Sequence, residues 1–402
     1  VTVWVWEATQ SVTAMAMMQL AMQIPRVVSS VFAGVIVDRY SRKRLMLLSD
    51  AIAACSTVIL ILLYWSDHLA LGPLYLIGAI NSCFGQIQGL AYSSAIATLV
   101  PKAQYSRASS MGAFFHYGSN IIAPALAGSL YPLLGFAGIL SLDLLTFTVG
   151  ILTLAAFSIP QPPPSNNVSS HTFSAQLSFG FRYLRTTPSL LILLLTTSLF
   201  WLIHDLGGAI FTPLILARTD NNTQILGQIF SAAGLGGVLS ATIISIWGGP
   251  KRKIQGLLSG MIGAGLCKTI FGLATTPWLW LPAQFSSSLN FPLMSSSNAS
   301  LWLEKIPPDI QGRIFSVRLL MRQLAGAGAI ALAGPLTDSI FIPAMSAQGH
   351  LTPWLSPLFG TGAGAGIAVL YVLTALGLLL VGIIGLFIPA LQQVEHLTEN
   401  RE

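Results

Sequence analysis

The chain alternates long apolar stretches with short polar breaks, and most of the stretches are of membrane length. A helix rises about 1.5 Å per residue, so crossing a hydrocarbon core of about 30 Å takes about 20 apolar residues. On that ruler the pattern predicts helices over 13–37, 45–65 and 72–99, then from about 107 to a turn at 132–135, and over 136–159. Ser66-Asp67-His68, Pro101-Lys102 and a basic run over 38–44 supply the breaks. Residues 1–6 look like the exit end of a helix, and 7–11 form a turn. About 20 to 25 residues, most of a first helix, are therefore expected to precede Val1; the alternative is a chain with one helix fewer.

A polar, proline-rich run, Pro160-Gln161-Pro162-Pro163-Pro164-Ser165-Asn166-Asn167, cannot lie inside a bilayer. Beyond it Phe173, Leu177, Phe179, Phe181 and Tyr183-Leu184 alternate with polar residues, and Arg182 and Arg185 close the segment. That pattern predicts a short amphipathic helix on the membrane surface. Apolar runs resume at 189–216, 224–247, 254–273, 277–303, 312–342 and 361–389. The organisation expected is therefore an N-terminal bundle over 1–159, a cytoplasmic linker over 160–188, a C-terminal bundle over 189–391 and a polar cytoplasmic tail over 392–402.

Composition supports the membrane reading. Apolar residues make up 53% of the chain, charged residues 8%, and the mean hydropathy is +0.73, whereas soluble domains carry about 25% charged residues. A net charge of +6 could suit nucleic acid, but the bases sit in short loops rather than on one face, so no nucleic acid is expected. Of the 19 Lys and Arg residues, 14 fall in alternate loops or the tail, and only Arg218 falls in an opposite-side loop. By the positive-inside rule the basic loops and the C-terminus face the cytoplasm. Cys55, Cys83 and Cys267 each fall in a predicted span, so neither a disulfide nor a metal site is expected.

The chain also repeats itself. Pro101 and Pro307 are 206 residues apart, as are Arg107 and Arg313, and the same offset lays Ala127-Gly128 on Ala333-Gly334. The bases Arg42-Lys43-Arg44 recur 209 residues later as Lys251-Arg252-Lys253. Chance similarity of two apolar helices does not keep loop prolines and arginines at one spacing. The repeat predicts an all-α membrane protein of two parallel six-helix halves, a transporter plan.

One loop is unlike the others. Gly34-x-Ile36-Val37-Asp38-Arg39-x-Ser41-Arg42-Lys43 sets one acid among bases, and it resembles the loop motif of the major facilitator superfamily, with Ile36 for Leu and Ser41 for Gly. The run from Val100-Pro101 through Ala123-Pro124-Ala125-Leu126-Ala127-Gly128, and Ala333-Gly334-Pro335-Leu336-Thr337-Asp338 with Pro343-Ala344-Met345, resembles the bacterial efflux branch that includes macrolide and enterobactin exporters. The resemblance covers nearly the whole chain. It implies the major facilitator fold, two six-helix bundles related by a pseudo-twofold axis, in the bacterial inner membrane. Pro124 and Gly128 are similar to the superfamily's antiporter motif, with Ala123 and Ala127 in place of two of its glycines. Asp38 would then lie near the start of the eleventh span, where unpaired N–H groups favour an anion, and would act with Arg39, Arg42 and Lys43 as a gate. The plainer reading of the same loop is that its bases only set topology.

Charges inside spans are expensive and point to function. Arg26 and Asp205 both fall near the middle or outer half of the core, and by resemblance their helices approach each other. A pair, or a shared substrate and proton site, is expected; the alternative is a separate polar pocket for each. Asp205 is the expected proton carrier, with His204 adjoining it. Arg318 and Arg322 are four apart and share a helix face, and with Asp38 or Asp50 as candidate partners they are expected to belong to the gate. Lys268 is expected to snorkel to the far interface, His116 to be a satisfied interior histidine, and Asp143 to be structural. Asn81, Gln86, Gln88, Tyr92, Gln284, Asn290 and Asn298 lie on the fourth and tenth spans. By resemblance these line the cavity, and equally they fit interhelical hydrogen bonding.

No nucleophile–base constellation, phosphate loop or metal-ligand spacing is visible, so neither an enzyme nor a cofactor is expected. The reading is a monomeric secondary transporter that exports an amphipathic small molecule against protons. Nutrient uptake by the same fold is the alternative, and a non-transporting sensor, assembly partner or inactive fragment is the reading from another class.

Overall fold

The computed structural model describes residues 1–99, 105–157, 173–307 and 310–396. Side-chain surroundings are described at all of these except 31, 34, 35, 38, 39, 96–99, 105–122, 124, 125, 128, 129, 173–177, 312, 363 and 396. Asp38, Arg39, Lys102, Arg107, His116, Pro124 and Gly128 therefore lie outside what is described of side chains. Most of the described residues are helical, with no strand among them, and seven helices are long and apolar enough to cross a membrane.

The elements are α1 (Thr2–Thr9), α2 (Val12–Arg39), α3 (Arg42–Trp65), α4 (Leu71–Leu99), α5 (Tyr105–Ala156), α6 (Phe173–Thr186), α7 (Pro188–Ala209) and α8 (Phe211–Arg218). After them come α9 (Thr223–Trp247), α10 (Lys253–Leu273), α11 (Pro277–Lys305), α12 (Gln311–Leu336), a π turn (Thr337–Phe341), α13 (Ile342–Ala344), α14 (Thr352–Phe359), α15 (Ala363–Phe387) and α16 (Pro389–Gln392). Local chemistry sets their ends. The Ser41 side chain caps α3, and Pro188 opens α7 where no N–H partner is needed. Asn222 accepts from Gln224 N and Ile225 N at the start of α9, and Gly248 closes that helix at φ 81°. The turn expected at 132–135 narrows to Gly135 (φ 65°, ψ −173°), which breaks α5 into two arms. A side chain is strained there and glycine is not.

The chain forms two compact units. The first takes in 1–10, 14–118 and 126–170. Its helices are joined by hydrogen bonds between spans: Ser49 Oγ to Phe84 O, Ser56 Oγ to Asn81 Oδ1, Thr57 Oγ1 to Asp143 Oδ2, and Gln88 Nε2 to Asp50 Oδ1. The first basic loop is bound into the same unit. Arg42 Nη1 donates to Ser94 O at 2.7 Å, and Lys43 Nζ donates to Ala155 O at 2.8 Å and Phe157 O at 2.6 Å. A cation on the last carbonyls of α5 meets the negative end of that helix.

The second unit takes in 11–13, 119–125 and 171–402. Its core joins Leu190, Leu193 and Phe200 of α7 to Leu257, Leu258 and Met261 of α10, Leu301 and Trp302 of α11 and Val317 of α12. The amphipathic helix α6 belongs to it. Leu184 is fully buried and the Arg313 guanidinium lies 4.8 Å over the Phe179 ring, so part of the apolar face expected for the membrane surface is packed on α12 instead. The last described residues are tied in through Glu395, which accepts from Ile254 N at the start of α10. The unit also holds the first turn of α2. Asp338, on the π turn, accepts from Ser11 Oγ (2.8 Å), Val12 N (3.2 Å) and Thr13 N (2.8 Å). One carboxylate thus satisfies N–H groups that a helix start otherwise leaves open.

Candidate functional site in the second unit

Two helices of the second unit carry matching stripes. On α7, Leu194, Thr197, Ser198, Trp201 and Asp205 are spaced i, i+3, i+4, i+7 and i+11; on α12, Phe315, Arg318, Leu319, Arg322 and Gly326 repeat the spacing. Each set lies on one helical face. All but Asp205 and Gly326 line a cavity of about 330 Å³, together with Asn298 from α11.

Asp205 and Arg322 form the polar end of the site. Arg322 Nη1 donates to Asp205 Oδ2, and Nη2 donates to Oδ1 at 3.2 Å. This two-point geometry suits a planar guanidinium and not an ammonium. The Arg322 guanidinium also lies 4.4 Å over the Trp201 ring, one turn before Asp205. His204 Nδ1 stands 3.3 Å from Asp205 Oδ1, with its ring edge-on to Trp201 and Phe291, each at 5.0 Å. The approach of the pair depends on Gly326, where a Cβ would meet Asp205 Oδ2 at 2.9 Å and Arg322 Nη1 at 3.1 Å.

Arg318, one turn before Arg322, has a different setting. Its guanidinium lies 4.3 Å over Trp302 and 5.2 Å over Phe315. Lys268 is buried rather than snorkelling: Nζ is 3.4 Å from Tyr371 Oη and 5.7 to 5.9 Å from the Phe211, Phe291 and Tyr371 rings. The helix α10 packs on both α11 and α15, so the face that carries Lys268 meets protein on its flanks, and the short reach to the interface is closed.

The other expected residues find separate places. Arg26 Nη2 donates to Ser82 Oγ at 3.3 Å, within the first unit, and Asp205 has Arg322 and His204 as its partners. Each charge thus has a polar partner in its own unit. Arg322 holds Asp205, and Gln88 holds Asp50. Gln86 is half-buried and Tyr92 is exposed on α4. Asn290 Nδ2 donates to Ser286 O on its own helix, and its Oδ1 fills the space left by Gly263 of α10. Asn81 and Gln88 thus bond across helices, Asn290 packs against Gly263, and Asn298 lines the cavity, its Oδ1 accepting from Trp302 Nε1. Sequence reasoning passed over Trp201 and Gly326. The signal that could have found them is the common stripe on α7 and α12.

The family model described as Major Facilitator Superfamily matches residues 2–330. Macrolide efflux protein A of Streptococcus pyogenes is 25% identical over 339 residues, 83% of each chain. Enterobactin exporter EntS of Shigella flexneri is 24% identical over 283 residues, 68% of this chain and 66% of that protein. Among solved structures, the nucleoside transporter NupG superposes with a TM-score of 0.65 at 13% identity, covering 96% of this chain and 94% of that one.

Proposed function

Because the chain belongs to the Major Facilitator Superfamily, a superfamily of multi-pass membrane transporters, we propose that it exports amphipathic small molecules across the bacterial inner membrane by proton antiport. The observation that carries this reading is the Asp205–Arg322 pair at the head of the α7–α12 cavity. The efflux proteins among its relatives support the direction.

Coupling requires that cargo and proton favour different states of one site. A proton on Asp205 removes the negative charge that Arg322 binds and leaves one carboxyl oxygen without its lone-pair role in the fork. Arg322 is then free to shift on Trp201, and the wall of the cavity changes with it. His204, in contact with Asp205, is the neighbouring group able to pass that proton. We assign gating on the cytoplasmic side to Asp38, with the bases around it, on the strength of the loop motif.

The test is accumulation of fluorescent dyes of differing charge in an efflux-deficient host. Expression should lower accumulation, and a protonophore should abolish the effect. Accumulation that rises on expression shows uptake, and accumulation unchanged by the protonophore removes the proton from the scheme.

A further inference from the structure

The charge on the cavity wall identifies the kind of cargo. The candidate spans of the second unit carry six cations, Arg218, Lys253, Lys268, Arg313, Arg318 and Arg322, against two carboxylates, Asp205 and Asp338. Asp338, just past α12, is occupied with the first turn of α2. Asp205 is engaged by Arg322. Among the described residues, Arg318 therefore contacts aromatic rings and no carboxylate, and its guanidinium makes no hydrogen bond. A guanidinium stacked on rings keeps its N–H edge free to bind, since the five donors lie in the plane and the stacking uses the face.

We propose that the α7–α11–α12 cavity binds an organic anion, with Arg318 holding the carboxylate, sulfonate or phosphate of an amphipathic cargo whose apolar part rests on Leu194, Leu319 and Phe315. The proposal rests on reading this cavity as the transport site. A cationic cargo would need a carboxylate or an open ring face. The one carboxylate here is taken, and the Trp201, Trp302 and Phe315 rings already carry guanidinium groups. The competing account makes Arg318 one more topology-setting base. Its position argues otherwise: it lies seven residues into α12, beyond Arg313 and within the cavity lining.

The experiment uses the full chain in lipid nanodiscs and two probes of nearly equal shape, dansylglycine and its neutral amide, with binding read by fluorescence. Wild type should bind the carboxylate about tenfold or more tighter than the amide, one charge-assisted contact being worth about that factor. Arg318→Gln should erase the difference and Arg318→Lys should keep part of it. Because the comparison is between probes on wild type, a variant that fails to fold does not decide it. Equal binding of the two probes, binding of neither, or a difference that survives Arg318→Gln in folded protein overturns the anion site. The accumulation assay judges transport separately. Dye export with no anion preference leaves export standing and sinks this inference; anion preference without export does the reverse.

Discussion

Arg322 of α12 and Asp205 of α7 are joined by two parallel hydrogen bonds across 117 residues of sequence, with Trp201 beneath the guanidinium and Gly326 making room beside it. The Asp205 side chain is 18% exposed and that of Arg322 is 38%. The pair therefore stands between an exposed contact, worth about 0–1 kcal/mol, and a buried one, whose breakage costs about 3–5 kcal/mol.

Asp205→Asn should abolish export while lowering stability by about 1–3 kcal/mol, within those bounds. Arg322→Gln should act in the same direction. The double exchange, Asp205→Arg with Arg322→Asp, should regain stability in part, measured by thermal unfolding in detergent. A double exchange no more stable than the worse single variant would show that the two side chains do not act as a pair.

Gly326→Ala places a methyl group between the two partners. The carboxylate can swing aside, so stability should change by less than about 1 kcal/mol, while export falls severalfold because the fork is spread. Full export by a folded Gly326→Ala protein would show that the geometry of the fork is not needed.

Asp338 caps the first turn of α2 with three hydrogen bonds. Asp338→Ala should cost about 1–2 kcal/mol, the range of a lost N-cap, and hydrogen exchange should quicken at 12 and 13 before it does elsewhere in α2. Asp338→Asn keeps one acceptor oxygen and should fall between the two. Unchanged exchange at those amides would remove the cap.

Lys268 is a buried cation ringed by aromatic groups. Lys268→Met keeps the length of the chain and deletes the charge, and such replacements of buried charge are often neutral or stabilising. The melting temperature should hold or rise. A fall of several degrees would mean that the ammonium contributes more through the three rings than it loses by desolvation.

In the first unit Lys43→Gln should loosen the end of α5 by about 0.3–1 kcal/mol, with topology kept by the neighbouring bases. Asp38→Asn should cut transport and leave membrane insertion intact. Equal transport by the Asp38→Asn protein and wild type would return that loop to a topology role alone.

Most helix ends are legible in the chain alone. A span is a sum over about 20 neighbouring residues, and Gly248, Pro188 and the basic loops act on the chain beside them, so each signal is local and survives without the fold. The 206-residue repeat likewise announced two related halves. The partners were decided only in three dimensions. Asp205 could be read as a costly charge, but whether Arg26, Arg318 or Arg322 answers it depends on the rotation and height of separate helices, and a shift of one residue turns a side chain by about 100°. Asp338 reads as part of a motif, and its bonds to Ser11, Val12 and Thr13 span more than 320 residues. Lys268 reads as a snorkelling base until α11 and α15 are packed beside it. Transfer into the bilayer is a property of each segment; pairing within it is a property of how the segments are packed.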